Sequence, residues 1–203
     1  MSLKISALLG CLVLIPCAAH AADEGSSWYA GIGVGRADLG NMHSQSNPQF
    51  NFFDTTKTGY KLFGGYRFNA NFALEGSYVD FGTHKGSATD EHGFTNPAPD
   101  SWKYSAYTIA AVGTLPLSGG FSVLGKAGVA IGKMGEYDSD GTTAVKRNQS
   151  LFLGVGMKYD FSKTLFMHAE YESFGTVGDS TSSPQSPGEF KPKMFSVSVG
   201  ANF

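Results

Sequence analysis

Eight stretches of this chain alternate large apolar side chains with small or polar ones, and the segments joining them are long and short in strict turn. The stretches run approximately over Trp28 to Arg36, Thr58 to Phe68, Phe72 to Phe81, Tyr104 to Leu115, Phe121 to Lys133, Gln149 to Phe161, Leu165 to Phe174 and Lys193 to Phe203. Successive side chains of a strand point to opposite faces, so a period of two predicts a strand with one apolar and one polar face. In the fourth stretch the assignment is open, because Tyr107, Ile109, Ala111, Gly113 and Leu115 compete with an almost equally apolar opposite set. The connections are long at Ala37 to Lys57, Gly82 to Lys103, Met134 to Asn148 and Gly175 to Pro192, and short at Asn69 to Asn71, Pro116 to Gly120 and Ser162 to Thr164. A meander built this way collects its short turns at one end and its long polar loops at the other, as transmembrane barrels do.

The composition of each face decides which is inside. The polar face carries Gly31, Gly33, Gly35, Gly59, Gly65, Gly128, Gly132, Gly154 and Gly156. Glycine weakens an exposed strand but suits the crowded bore of a small barrel, so this face is expected to line the lumen. The apolar face is ordered vertically. Trp28, Tyr66, Phe68, Phe72, Phe121, Tyr159, Phe161 and Phe203 fall near the short turns, and Tyr60, Tyr78, Tyr107, Tyr171 and Phe195 near the long loops. Aliphatic residues such as Ile32, Leu62, Val129, Leu153 and Val199 lie between them. Rings prefer the headgroup level, so two aromatic girdles flanking an aliphatic band predict a spanning barrel, and closure removes the sheet edges that hydrocarbon does not tolerate. The expected fold is all-β: an eight-stranded antiparallel up-and-down transmembrane β-barrel.

Residues 1–21 read as an export signal, with Lys4 at the basic end, an apolar run from Ile5 to Ile15 and a small-x-small cleavage site at Ala19-His20-Ala21. A lipoprotein signal at Leu8-Leu9-Gly10-Cys11 would waste that site. Residues 22–203 are then the barrel domain, with no run approaching the roughly 20 apolar residues of a transmembrane helix. Both cysteines, Cys11 and Cys17, lie in the signal, so no disulfide is expected in the exported chain. Losing Lys4 leaves 14 basic against 17 acidic residues, since the whole chain has 15 and 17. That balance, without a basic cluster, argues against nucleic acid as a partner.

Trp28-Tyr29-Ala30-Gly31-Ile32-Gly33-Val34-Gly35, Gly64-Gly65-Tyr66-Arg67-Phe68, Phe72-Ala73-Leu74-Glu75-Gly76-Ser77-Tyr78 and the terminal Phe203 resemble the OmpA-like and opacity-type small outer-membrane barrels of Gram-negative bacteria. The likeness covers essentially the whole exported chain, and its motifs encode architecture rather than one member's role. It implies an outer-membrane location and a terminal phenylalanine, Phe203, read by the barrel-assembly machinery. The chain ends at its last strand, so the periplasmic peptidoglycan-binding domain of full-length OmpA is not expected.

On the inner face the charged residues are Lys61, Arg67, Glu75, Lys126, Lys158, Asp160, His168, Glu170 and Glu172. If Phe161 faces Leu165 across its tight turn, Lys158 faces His168 and is diagonal to Glu170; Arg67 is likewise diagonal to Glu75, and Gly156 leaves room for Lys126 to approach Glu170. Lys61, Arg67, Glu75, Lys126, Lys158, His168 and Glu170 therefore form either a polar gate or a paired network in a filled core. Tyr29, Phe63, Phe81, Leu124, Phe152, Phe166 and Phe174 share that face, and eight strands leave a bore just wide enough for side chains to fill, which favours the filled core.

Phe50, Phe52 and Phe53 in the first long connection, and Phe94 and Trp102 in the second, are candidate contacts for a host or envelope protein. Alternatively the strands continue as hairpins above the membrane and these rings pack on one another. His84, Asp90, Glu91 and His92 lack the histidine spacing of a zinc site and read as a solvated loop. Gly31-Ile32-Gly33-Val34-Gly35-Arg36 is no dinucleotide fingerprint, because Arg36 replaces the last glycine and no helix follows. No cofactor and no catalytic set is expected. The predicted role is structural or surface-interactive, carried by long extracellular loops, with both termini periplasmic and outer-membrane lipid and lipopolysaccharide as surroundings. The alternative is a narrow ion or small-solute channel gated by Lys126 and Glu170; a lipid-modifying barrel enzyme stands third.

Overall fold

The computed structural model describes residues 27–40, 50–52, 56–88, 100–137, 143–177 and 190–203. The export signal and Phe53, Asp90, Glu91, His92 and Phe94 lie outside the described residues. Nine strands occur among those described: β1 (Ser27–Asp38), β2 (Phe50–Phe52), β3 (Thr56–Arg67), β4 (Phe72–Ala88), β5 (Asp100–Pro116), β6 (Phe121–Tyr137), β7 (Thr143–Asp160), β8 (Leu165–Ser173) and β9 (Lys193–Asn202). All but β2 are barrel strands. Each pairs antiparallel with the next, and β9 pairs back onto β1 with Gly33 opposite Ser198, so eight strands close without a free edge. Trp28 and Phe203 exchange two backbone hydrogen bonds, 3.1 and 2.9 Å, where the chain's last residue meets its first strand.

The short turns are built by local side chains. Asn69 Oδ1 accepts from the N–H groups of Asn71 and Phe72 at 2.9 and 3.0 Å, folding the β3–β4 turn over its own backbone. Ser162 Oγ does the same for Thr164 and Leu165 at 3.2 and 3.0 Å, and Phe161 N–H donates to Leu165 carbonyl as the sequence register requires. Gly119 and Gly120 take φ of 69° and 82° in the β5–β6 turn, a conformation that costs glycine nothing.

The open assignment in β5 resolves one way: Tyr107, Ile109 and Leu115 are exposed on the outer wall, while Tyr104, Ala106, Ala110 and Val112 are buried inside. The glycine face is the lumen. A Cβ on Gly31 would strike the Phe63 ring, one on Gly132 the Tyr104 ring and one on Gly200 the Phe166 ring. Each glycine is the space an aromatic ring on another strand occupies.

The strands are longer than the sequence pattern predicts at the long-connection end. β4 runs to Ala88 and β5 starts at Asp100, so His84 is a strand residue opposite Trp102, not part of a solvated loop, and its side chain is buried. Its ring nitrogen Nε2 lies 3.1 Å from the Phe81 carbonyl. Alternation fails there because the register between β4 and β5 shifts between Asp80 and Thr83. Gly82, with φ of 81°, supplies the extra residue of a bulge, and its N–H donates to Asp80 Oδ1 at 2.8 Å. One inserted residue reverses which parity points inward, so both Phe81 and His84 are buried. β2 lies along the extension of β4, with Phe50 opposite Ala88 and Phe52 opposite Gly86.

Candidate functional site

The lumen is layered from the turn end upward. Tyr29, Phe63, Phe166, Ala73, Val112 and Leu124 form the lower layer, with the three rings 6.1 to 6.4 Å apart, centroid to centroid. Above lies a belt of charge. Phe81, Tyr104, Phe152, Phe174, Phe190 and Met194 fill the upper layer, each 0 or 1 % exposed. Phe81 touches both Tyr104 and Phe174 at 4.9 Å, and Phe190 closes over Tyr104 at 5.4 Å, edge-on. Phe190 reaches that position because its backbone bridges Val177, folding the flanks of the last long connection into the mouth of the barrel.

The charged belt is assembled from four strands. Lys61 on β3 sets its Nζ 2.7 Å from Glu170 Oε2 and 2.6 Å from Glu172 Oε1 on β8. Lys126 on β6 sits 2.6 Å from Glu75 Oε1 on β4 and 2.5 Å from Glu170 Oε1. Tyr29 donates its hydroxyl to Glu75 Oε2 at 3.1 Å. Two ammonium groups are thus shared among three carboxylates, and every side chain involved is almost wholly removed from solvent. Isolated charges could not be held there; these persist because each faces an opposite charge at contact distance. Lys61 and Lys126 also lie 5.4 and 5.9 Å from the Phe63 ring centroid, so the lower layer meets the belt through cation–π contacts.

Glycines on β7 make the arrangement possible. Gly156 pairs with Glu170 and Gly154 with Glu172, and a Cβ at either position would press on the facing carboxylate's side chain. Lys126 meets Glu170 as expected, but the glycine it lies across from and packs against is Gly154 rather than Gly156.

Other expected partners go elsewhere. Lys158 does face His168, but its ammonium lies 2.7 Å from Asp160 and 5.1 Å from the Phe166 ring rather than reaching Glu170. Arg67 is diagonal to Glu75 in register, yet its guanidinium donates to Asn202 Oδ1 at 3.1 Å and covers the Tyr29 ring. His168 stacks on both Phe63 and Phe166, with ring centroids 5.6 and 4.7 Å away. These three surround a cavity of about 20 Å³ at the turn end, together with Glu75, Thr114 and Leu124. That volume suits about one water molecule.

Glu172 stands at the centre of the belt although the sequence reading kept it out of the network. The signal was its parity with His168 and Glu170 and the glycine opposite it. Phe190 was missed because it belongs to the last long connection, where no alternation marks it as interior, whereas Met194 keeps the inward parity of Ser196 and Ser198 on β9. Phe50, Phe52 and Trp102 fall on strand extensions, and Phe203 lies on the outer wall at the turn end, about half exposed.

Among the described residues no group of three or more histidine, cysteine, aspartate or glutamate side chains could hold a metal ion. A family profile described as the outer membrane protein beta-barrel domain matches residues 7–203. No curated protein sequence matches the chain. Three solved structures share the architecture at low identity. Neisserial surface protein A is similar with a TM-score of 0.59 and 13% identity over 89% of this chain and 100% of that one. OprG from Pseudomonas aeruginosa has a TM-score of 0.55 and 11% identity over 88% of this chain and 96% of that one. Ail, the attachment invasion locus protein of Yersinia pestis, solved with the heparin analogue sucrose octasulfate, has a TM-score of 0.50 and 17% identity over 89% of this chain and 100% of that one. At such identities the likeness is one of fold.

Proposed function

The chain belongs to the outer-membrane-protein β-barrel family, a family of the Gram-negative outer membrane, and from that premise we propose that it is a plugged barrel acting through its long connections, in a structural or surface-interaction role. The short turns and both termini face the periplasm in this reading, and the long connections face outward. Its surroundings are outer-membrane lipid and lipopolysaccharide, the barrel-assembly machinery acts on Phe203, and a host or envelope protein meets the loops. The chain is not an enzyme here, since the buried carboxylates are taken up by lysines.

One observation carries the reading. A ring layer, an ion-pair belt and a second ring layer fill the bore in succession, so a solute would have to displace all three. The alternative of a narrow channel keeps one point in its favour, the Lys126–Glu170 pair standing where a gate would stand.

Planar-bilayer recording of the refolded protein separates the two. A silent membrane with the wild type, and with a Lys126→Gln/Glu170→Gln variant verified as folded, supports the plugged barrel. Stable openings whose conductance or selectivity the double substitution alters would make it a channel. Shortening the long connections should leave folding intact and abolish capture of whatever ligand the surface binds. Because Ail was solved with a heparin analogue, a sulfated sugar is a sensible first probe.

A further inference from the structure

On the outer wall, Lys133 of β6 and Arg147 of β7 are paired directly across the two strands, and both are exposed. Like charges opposite one another destabilise a sheet unless something neutralises them. Nothing in the protein does so among the described residues: neither cation makes an ion pair with a carboxylate there. Asp80 of β4 faces the same outer side, but its Oδ2 holds Lys103 at 3.0 Å and its Oδ1 accepts the Gly82 N–H.

Height on the barrel identifies the environment. In register order, Ser105, Lys133 and Arg147 lie side by side on β5, β6 and β7, and the next outward row toward the short turns is Tyr107, Ile131 and Gln149. Tyr107 packs on Tyr78 at 5.0 Å in the upper aromatic girdle, and Ile109, Val129 and Leu151 continue the exposed apolar wall below. Two residues of strand rise about 7 Å. Because barrel strands tilt by roughly 35–45°, the two cations stand about 5 Å above the girdle, at the depth of lipid headgroups rather than of acyl chains or free solvent. Long basic side chains at this level bury their stems on the apolar wall and present their charge to the headgroup layer.

We propose that Lys133 and Arg147 form a binding site for the phosphate groups of lipid A in the outer leaflet. The assignment rests on the orientation proposed above, with the long connections outside. Arg147 supplies a planar fork that matches a phosphate bidentately, and Lys133 supplies a second, point-like charge beside it. Lys103, diagonal to Lys133 and already paired with Asp80, borders the site.

The test is retention of lipid by the purified, refolded barrel in mixed phosphatidylcholine bilayers, read by native mass spectrometry after detergent extraction. Bisphosphorylated lipid A, its monophosphorylated form, phosphatidylglycerol and a soluble heparin fragment serve as probes. The wild type should retain bisphosphorylated lipid A best, and Lys133→Gln/Arg147→Gln should weaken that retention roughly thirtyfold. Should the double variant fold poorly, the charge-preserving Lys133→Arg/Arg147→Lys protein should keep the lipid, and added salt should release it from the wild type. Equal retention by the Gln variant, or indifference to the number of phosphates, would overturn the site. Dependence on the pair seen only with heparin would make it a polysaccharide site, and a preference for phosphatidylglycerol would overturn the orientation with the lipid A assignment while leaving the bilayer recordings untouched.

Discussion

Lys61 and Glu172 meet at 2.6 Å inside the barrel although 111 residues separate them. The contact ties β3 to β8 across two intervening strands, β1 and β9, and Lys61 holds Glu170 at the same time. Replacing Lys61 by Met leaves Lys126 alone against Glu75, Glu170 and Glu172. Breaking a buried pair from one side costs about 3–5 kcal/mol, because the orphaned charge stays in a medium that cannot solvate it. Equilibrium unfolding in urea from lipid vesicles should show that loss. Lys103→Met, which breaks the half-exposed pair with Asp80, should cost less than about 1 kcal/mol in the same assay.

Gly200 faces the lower ring layer, and any Cβ there would meet the Phe166 ring and the Ala30 carbonyl. Gly200→Val should destabilise the barrel by about 1–3 kcal/mol or more, since an overpacked core must move backbone to accept the added carbons. Gly125 is the control: it faces outward and a Cβ there meets nothing within 4 Å. Gly125→Val should leave the heat-induced mobility shift of the folded barrel on unheated gels unchanged, while Gly200→Val should reduce the folded band.

Val199 lies midway along the outward face of β9, between Phe195 and Phe203. Arginine there would sit near the bilayer centre at a cost of about 2–4 kcal/mol. Insertion into vesicles, followed by protease protection, should fall for Val199→Arg. Insertion at the wild-type level would mean that the inner and outer faces have been exchanged.

Phe203 contributes to closure through its backbone, whose two hydrogen bonds to Trp28 do not depend on its ring. Phe203→Ala should therefore refold into vesicles nearly as well as the wild type. If the ring is the part read during assembly, the same variant should accumulate poorly in the outer membrane of cells. Equal accumulation would show that the terminal ring carries no assembly signal.

Much of this architecture was legible without coordinates, for a local reason. A strand's faces are set residue by residue, so alternation alone separated Phe63, Phe81, Phe152 and Phe166 inside from Leu62, Leu151 and Val199 outside. Asn69 and Ser162 fold their turns through bonds to backbone two and three residues on, which fixed the β3–β4 and β7–β8 registers and hence the pairing of Lys158 with His168.

Tertiary structure decided what local rules cannot reach. Alternation breaks at Gly82, so one bulge hid the inward turn of His84 and the continuation of β4 to Ala88. The chain's own periodicity stops before Phe190, which becomes core because its backbone bridges Val177 and sets its ring over Tyr104. Partner choice among the lumen charges was the least legible feature. Lysine and arginine side chains are long enough to pass a diagonal neighbour, so Arg67 leaves Glu75 for Asn202 while Lys61 reaches Glu172 on β8. Alternation placed the charged side chains of the regular strands in the bore; which of them meet depends on the stagger of strands around the closed barrel and on the glycine gaps at Gly154 and Gly156, because those set the distances between charges that no stretch of chain contains together.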